Sequence, residues 1–332
     1  MSRRAWLGLW IAAAALIVPA AHLALGRGVD WSELLAGTDT VSWRVLTELR
    51  LPRLVVALFA GTALGLAGLA LQSVLRNPLA APELTAVNPS AVLGYLIASG
   101  TGLIDGGSVF SSVLSATVGG LLGGGLLWLV AHRRTSEQTA VLGLLSALAL
   151  TGVVTILIAA RPTGVGGALR WLIGSVEARV AEHVPMIAIP VLAGFAALVL
   201  VADRLEILAV SDSHAHCLGV SPGFWRGVGI GIAVLLASAA VATVGPLAFV
   251  GFVAPHVVRL VFGGRLRRQV VLVAVCGGLF VAASDLIAKA VSLAIQLTGD
   301  GQQVGVPVGA VTCLIGAAAL VGVASSHQES EP

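Results

Sequence analysis

Long apolar stretches constrain the fold of this 332-residue chain more than any other feature of its sequence. A helix needs about 20 apolar residues to cross the hydrocarbon core of a bilayer. Cutting the sequence at charged residues and at glycine and proline clusters leaves ten candidate spans. They run over residues 5–26, 51–75, 88–104, 109–131, 138–160, 184–202, 224–243, 247–263, 269–297 and 307–325. The pattern predicts an all-α polytopic membrane protein with about ten transmembrane helices.

The composition leaves little room for another class of protein. Charged residues make up 11% of the chain and hydrophobic residues 57%, whereas soluble domains have about 25% charged residues. Because ten spans consume most of the length, we expect residues 1–332 to form a single transmembrane domain. Within it, residues 203–222 form the longest polar connection of the second half. The three cysteines are too dispersed for a disulfide framework.

Basic residues favour one orientation in the membrane. Ten spans put both termini on one side, and cytoplasmic loops carry an excess of Lys and Arg. The cluster of Arg265, Arg267 and Arg268 is the strongest indicator. We therefore expect both termini in the cytoplasm, and we interpret the first apolar stretch as a retained helix rather than a cleaved signal peptide.

Motifs for catalysis are missing from the sequence. A Walker A loop needs Gly-x-x-x-x-Gly-Lys-Ser/Thr, and the single lysine, Lys289, follows Ala288. The sequence also lacks the His-Glu-x-x-His and Gly-x-Ser-x-Gly motifs. We therefore expect a chain that is not an enzyme, has no ATPase motif of its own and needs no cofactor. Its energy source must be another subunit or an ion gradient.

A basic motif, Arg-Leu-Pro-Arg at residues 50–53, directly precedes the second apolar stretch. Two arginines three positions apart share one face of a helix, and each guanidinium suits a carboxylate. The motif is consistent with a docking point for an acidic partner. It is equally consistent with ordinary anchoring at the membrane interface.

A break follows the same apolar stretch, where Leu-Arg-Asn-Pro-Leu-Ala-Ala-Pro occupies residues 75–82. Two prolines four positions apart interrupt a helix. Non-helical backbone at membrane depth is tolerated where it lines a cavity or is buried in protein. The break predicts a gate or a pore lining, but a plain connecting loop has the same signature.

Two polar positions lie inside later apolar stretches. His256 belongs to Gly-Phe-Val-x-Pro-His-x-x-Arg at residues 251–259. It suits either a proton relay or a structural histidine near the end of its span. Asp285 is the acidic residue deepest in the second half, and Lys289, four positions on, is its expected partner.

Together these motifs resemble the FecCD-type permeases, the membrane subunits of binding-protein-dependent ABC importers for iron–siderophores, haem and cobalamin. Further hallmarks are Trp-x-x-Gly-Ser at 171–175, Leu-Gly-Val at 218–220 and Ser-Asp at 284–285. The resemblance covers about residues 45–325, with the motifs in the expected order. It implies a cobalamin-permease-like fold of ten helices that forms a homodimer, or a heterodimer with a second permease chain, around a central translocation path.

The resemblance also implies partners and particular roles for residues. Two ATP-binding cassette ATPase subunits are expected on the cytoplasmic side and a solute-binding protein on the extracytoplasmic side. The implied sites are a docking surface for the binding protein, a cytoplasmic gate and an ATPase coupling segment. Docking is expected at Arg50, Arg53 and Lys289, the gate at Asn77, Leu79, Thr135 and Ser136, and coupling at Asp212, His214, Ala215, Leu218, Gly219 and Val220.

The sequence departs from the family pattern in several places, including the last span, which lacks the common Pro-Phe-Phe and reads Gly-Ala-Ala-Ala at residues 316–319. Lys289 stands where many members have a docking arginine. Lysine keeps the positive charge but cannot form the two parallel hydrogen bonds that a guanidinium makes with a carboxylate. Residues 302–309 read Gln-Gln-Val-Gly-Val-Pro-Val-Gly, whereas members often show Glu-Leu-Pro-x-Gly-Val. Potential metal ligands crowd residues 212–217, but this loop faces the ATPase in the family, so we expect no metal site.

The cargo implied by the resemblance is a ferric siderophore, imported across the cytoplasmic (inner) membrane. Cobalamin and haem use the same fold and stay open as alternatives. An ion-coupled secondary transporter is a further alternative, and it would depend on a buried carboxylate such as Asp285.

Overall fold

The computed structural model describes residues 3–26, 28–36, 40–104, 108–131, 136–160, 173–298 and 305–328, and within them the regular structure is entirely helical. Ten long helices match the ten predicted stretches. They are α1 (Arg3–Ala24), α4 (Leu51–Leu75), α5 (Val87–Gly100), α6 (Val109–Ala131), α7 (Ser136–Ala159), α8 (His183–Val210), α10 (Pro222–Val244), α11 (Val250–Val261), α12 (Leu266–Thr298) and α13 (Val308–Gln328). The short helices are α2 (Trp31–Ala36), α3 (Thr40–Arg44) and α9 (Asp212–Cys217). Among the described residues, six helices are long and apolar enough to cross a membrane.

Helix α4 forms the centre of the bundle, surrounded by α8, α10, α11 and α12. Glycine lets two of these helices approach it at backbone distance. A Cβ on Gly61 would lie 2.0 Å from the carbonyl oxygen of Gly277 in α12, and a Cβ on Gly68 would lie 1.9 Å from that of Gly251 in α11. Such close contacts replace the hydrophobic effect as the source of helix association in lipid.

The two largest differences from the predicted helix boundaries lie at the start of α4 and at the end of α8. A π-helical turn, Val45–Arg50, joins α3 to α4, so helical backbone runs from Thr40 to Leu75 and Arg50 lies inside it. Helix α8 ends at Val210 instead of residue 202. It continues because the fully buried Leu205 and Leu208 extend its apolar face past the charged Asp203 and Arg204, which are exposed. The polar connection therefore shrinks to residues 211–221.

The two ends of α4 define the two ends of the molecule. A 25-residue helix is about 37 Å long at 1.5 Å per residue. We call the end that holds Arg53 and Asp285 the Arg53 end, and the end that holds Arg76 and Asp212 the Asp212 end. At the latter, α4 stops at Arg76, whose backbone is left-handed with φ 50°. A 3₁₀ turn at Pro82–Leu84 precedes α5, which confirms the predicted break.

Candidate functional site: two charged clusters at opposite ends of the bundle

Asp285 lies at the centre of a buried ionic cluster at the Arg53 end. Arg53 donates from Nε to Oδ2 and from Nη2 to Oδ1, both at 2.8 Å. His22 Nε2 lies 2.7 Å from Oδ2. The side chains of His22 and Asp285 are 0% and 1% exposed. Three helices, α1, α4 and α12, are thereby tied together by groups that would be costly to bury singly.

The expected pairing of Asp285 with Lys289 is wrong. Lys289 Nζ instead lies 3.2 Å from His22 Nδ1 and donates to the carbonyl oxygen of His22 at 3.3 Å. The reason is that α4 places Arg53 against α12, and its planar fork satisfies both oxygens of the carboxylate. His22, Arg53, Asp285 and Lys289 form one connected group, the Asp285 cluster.

Arg50, the first of the predicted docking residues, lies mostly inside the protein. Its side chain is 7% exposed, and Nη1 donates to the carbonyl oxygens of Leu23 at 2.5 Å and Ala24 at 3.3 Å. Because Arg50 is buried, little of its side chain is available for contact with an acidic partner. Arg53 is also largely buried, with 19% of its side chain exposed.

A polar cavity of about 410 Å³ opens beside this cluster. Four basic side chains and one acidic side chain line it: Arg50, Arg53, Arg179, Lys289 and Glu177. The structure thus brings all three predicted docking residues to one cavity and adds Arg179, which the sequence did not single out. The excess of positive charge makes the cavity a favourable place for carboxylate groups.

A second ionic cluster ties α4 to the coupling segment at the Asp212 end. Arg76 donates to Asp212 Oδ1 and, from Nε, to the carbonyl oxygen of Leu208 at 3.0 Å. Arg226 of α10 donates to the same carboxylate at 3.1 and 3.3 Å. Burial opposes the charged form of Asp212, but the two arginines outweigh it and lower the pKa of this carboxyl. We call Arg76, Asp212 and Arg226 the Asp212 cluster.

The predicted coupling residues divide into a buried and an exposed set. Ala215 and Val220 are buried against Leu208, so they hold α9 in place. His214, Leu218 and Gly219 are exposed, and the backbone of Gly219 is left-handed with φ 71°. Leu218, with 55% exposure, is the large apolar side chain that this turn presents outward.

The potential metal ligands of the same segment do not assemble. Asp212 is engaged by two guanidinium groups. Of the described residues, no three histidine, cysteine or acidic side chains are grouped so that they could hold a metal ion.

The predicted gate residues are described in part. Asn77 Oδ1 accepts a hydrogen bond from the backbone N–H of Leu79 at 2.9 Å. The side chain of Leu79 is 51% exposed. Ser136 begins α7, whereas Thr135 lies outside the described residues. Asn77 and Leu79 follow directly on Arg76, so the gate segment and the coupling segment share one ionic cluster.

Sequence reasoning missed His22, Arg226 and Arg179 as members of these clusters. For His22 the signal was present: a histidine within the apolar stretch 5–26 needs a polar partner in lipid. For Arg226 and Arg179, nothing in the sequence indicates which carboxylate or cavity they meet.

The match to a known family identifies the chain as the membrane-spanning permease subunit of an ABC importer. Residues 9–325 match the FecCD transport family, and the chain belongs to that family. It is 37% identical to the Fe(3+) dicitrate transport system permease protein FecD of Escherichia coli K12, over 87% of this chain and 88% of that protein. It is 34% identical to the ferric enterobactin transport system permease protein FepG of the same organism, over 83% and 81%.

Two further comparisons extend the range of similarity. The cobalamin import system permease protein BtuC of Halobacterium salinarum is 30% identical, over 85% of this chain and 73% of that protein. A solved metal-chelate type ABC transporter in an inward-facing conformation superposes with a TM-score of 0.82 at 24% identity, covering 95% and 97% of the two chains. The chain is therefore a multi-pass protein of the cytoplasmic membrane, and it is a transport component of a system whose ATPase lies on separate subunits.

Proposed function

We propose that this chain is the permease subunit of an importer that moves ferric siderophores across the cytoplasmic membrane at the expense of ATP. The observation that carries the proposal is the match to the FecCD family over residues 9–325. The relatives FecD and FepG, at 37% and 34% identity, bear the names of ferric dicitrate and ferric enterobactin systems. The cobalamin relative is less similar, at 30%, so cobalamin is the second candidate and haem the third.

The Asp212 end is proposed to face the cytoplasm, with both termini on that side. Arg265, Arg267 and Arg268 support this orientation because they surround the start of α12 at this end. The backbone N–H of Leu266 donates to Glu206 Oε2 at 3.0 Å, which holds the basic cluster next to the end of α8.

ATPase subunits are proposed to bind at the exposed side of α9, chiefly His214, Leu218 and Gly219. Movement of α9 would then reach the gate through Asp212 and Arg76, because Arg76 directly precedes Asn77 and Leu79. The Asp212 cluster thus gives a physical path from the coupling segment to the gate.

The solute-binding protein is proposed to dock at the Arg53 end, with acidic side chains directed at the basic cavity. Arg50, Arg53 and Lys289 contribute positive charge to it, together with Arg179. Arg53 and Lys289 also hold the Asp285 cluster together. The double substitution Arg50→Glu and Arg53→Glu would place a second carboxylate next to Asp285. It therefore tests folding as well as docking.

The proposal is tested by uptake of radiolabelled iron complexes in iron-starved cells with and without the gene, and with an inactivated partner ATPase. Ferric citrate, one hydroxamate and one catecholate siderophore, haem and cobalamin are compared. We expect loss of one ferric siderophore in both mutants. Loss of cobalamin or haem uptake alone would overturn the cargo assignment. Uptake that persists without the ATPase would overturn the ATP-driven mechanism in favour of ion coupling.

A further inference from the structure

A single acidic side chain, Glu83, is buried beside the gate segment without a hydrogen-bond partner. It lies in the 3₁₀ turn Pro82–Leu84, between α4 and α5. Neither carboxyl oxygen is accessible to water or bonded to another group. A buried carboxylate without partners is unfavourable enough that such groups take up a proton instead.

Glu83 is one of the residues that line an apolar cavity of about 310 Å³, although its carboxyl oxygens have no accessible surface. The other residues that line the cavity are apolar: Leu79, Ala81, Ala248, Phe249, Phe252 and Leu320. Leu79 belongs to the predicted gate, and Leu320 lies on α13. The cavity therefore borders the gate segment on one side and the start of α11 on the other.

Burial dominates the electrostatics of Glu83 and raises its pKa to about 7. The nearby backbone amides of Gly251 and Phe249 do not meet hydrogen-bond geometry with the carboxyl. They favour its charged form but do not offset the burial. Among the described side chains, three arginines near this turn are engaged elsewhere: Arg76 and Arg226 with Asp212, and Arg259 with Gln72. His256 stacks on Phe252, with ring centroids 5.5 Å apart.

We propose that Glu83 is a proton-binding site of the gate, which takes up a proton in the conformation described here and releases it when movement of the gate segment exposes the carboxyl to water. The reaction is a simple dissociation: the carboxyl O–H bond breaks, the proton passes to water, and the carboxylate stays on the protein. The part of this inference that concerns the gate rests on the proposed transport function. The proton site itself does not.

Proton binding at Glu83 and the conformation of the protein are linked, and the direction of the effect follows from the change in pKa. Burial of the carboxyl raises the pKa of Glu83 to about 7, and exposure to water returns the pKa to the ordinary value of 4.5. Protonation therefore stabilises the conformation described here, in which the carboxyl is buried. Between these two values, each unit of falling pH shifts the equilibrium toward this conformation by up to about tenfold. Above a pH of about 7 the shift levels off.

Infrared titration of the reconstituted permease–ATPase complex tests the proton site directly. With ¹³C-labelled glutamate, a protonated carboxyl band should disappear with a midpoint near pH 7. The band should be missing in Glu83→Gln and unchanged in Glu48→Gln, an exposed matched control. No band in this range, or the same band in Glu83→Gln, overturns the proposal. Glu83→Asp, which keeps a titrating group, serves if the glutamine variant does not assemble.

ATP-driven uptake into proteoliposomes tests the consequence for the gate. Wild-type uptake should fall at least several-fold when the pH on the ATPase side is lowered from about 8 to about 6. Uptake by Glu83→Gln should be low and independent of pH over that range. A wild-type profile that Glu83→Gln reproduces overturns the role in the gate. A titrating infrared band with no uptake of any iron complex at any pH contradicts the proposed function and leaves the proton site intact.

Discussion

The two ends of α4 carry ionic clusters of similar chemistry in different surroundings. In the Asp285 cluster the carboxylate is 1% exposed, and its partners come from α1 and α4. In the Asp212 cluster the carboxylate is 48% exposed and Arg76 is 29% exposed. Partly solvated ion pairs contribute little to stability, whereas breaking a buried one is costly. We therefore expect the Asp285 cluster to hold α1, α4 and α12 in fixed positions, and we call it a fixed joint. We expect the Asp212 cluster to allow movement between α4 and α9, and we call it a movable link.

Helix packing follows the same division. Helices α4 and α12 are antiparallel, and the Gly61–Gly277 contact lies eight residues from the Arg53–Asp285 pair on each helix. Next to it, Thr62 of α4 donates to the carbonyl oxygen of Ala274 of α12 at 2.8 Å. Towards the Asp212 end, α4 instead contacts α11, where Gln72 donates to the carbonyl oxygen of Gly251 at 3.0 Å. Between these two contacts, a Cβ on Gly65 would lie 3.2 Å from Val273 of α12 and 3.4 Å from Ala254 of α11.

The largest effect on stability is expected for Asp285→Ala. It leaves Arg53 and His22 unpaired in a buried site, a change that costs about 3–5 kcal/mol. The measurement is the free energy of unfolding in detergent micelles, or the midpoint of thermal unfolding if unfolding is irreversible. Glu48→Ala is the control, because its pair with Arg44 is exposed. Equal stability of the two variants would show that the Asp285 cluster is not a fixed joint.

Gly61→Ala is expected to have the next largest effect. The added Cβ would lie 2.0 Å from a backbone oxygen of α12, and neither helix can yield locally. Overpacking of this kind costs about 1–3 kcal/mol. Gly231→Ala is the matched control, since a Cβ there meets nothing within 4 Å. A loss of stability in both variants would attribute the effect to glycine replacement in general.

For Asp212→Asn we expect little change in stability, below about 1 kcal/mol, with loss of coupling between ATP hydrolysis and uptake. Uptake per ATP hydrolysed should fall by a factor within the range of about 5–150 that is typical of coupling between sites. Arg76→Gln should behave likewise, because it breaks the same contact from the side of α4. Asp203→Asn, an exposed carboxylate at the same end, should retain full coupling. Normal coupling in Asp212→Asn contradicts the movable link.

The smallest expected effect concerns docking of the binding protein. Arg179 lines the basic cavity without belonging to the Asp285 cluster, so Arg179→Gln removes charge without disturbing the joint. Affinity for the binding protein should fall about two- to five-fold at low salt and less at high salt. Arg44→Gln, outside the cavity, is the control. Identical salt dependence in both variants would argue against docking at this cavity.

Much of the architecture could be predicted from the sequence, since each long helix matches an apolar stretch. The break at residues 76–82 was predictable because proline cannot continue a helix. The extent of α8 was not, because Asp203 and Arg204 interrupt its hydropathy although they lie on its exposed face. The partner of Asp285 was also missed, since local spacing suggested Lys289 and the true partners lie 232 and 263 positions away.

The sequence by itself determined that this chain spans the membrane, that it has no nucleotide-binding loop of its own and that it resembles the FecCD permeases. These properties depend on composition and local order along the chain. The tertiary structure decided which charges meet, that Arg53 supports Asp285 from within, and that Arg76, next to the predicted gate residues, pairs with Asp212. It also decided that Glu83 lies without a partner in an apolar cavity. Such relations depend on distances between residues far apart in sequence, which hydrophobic periodicity does not encode.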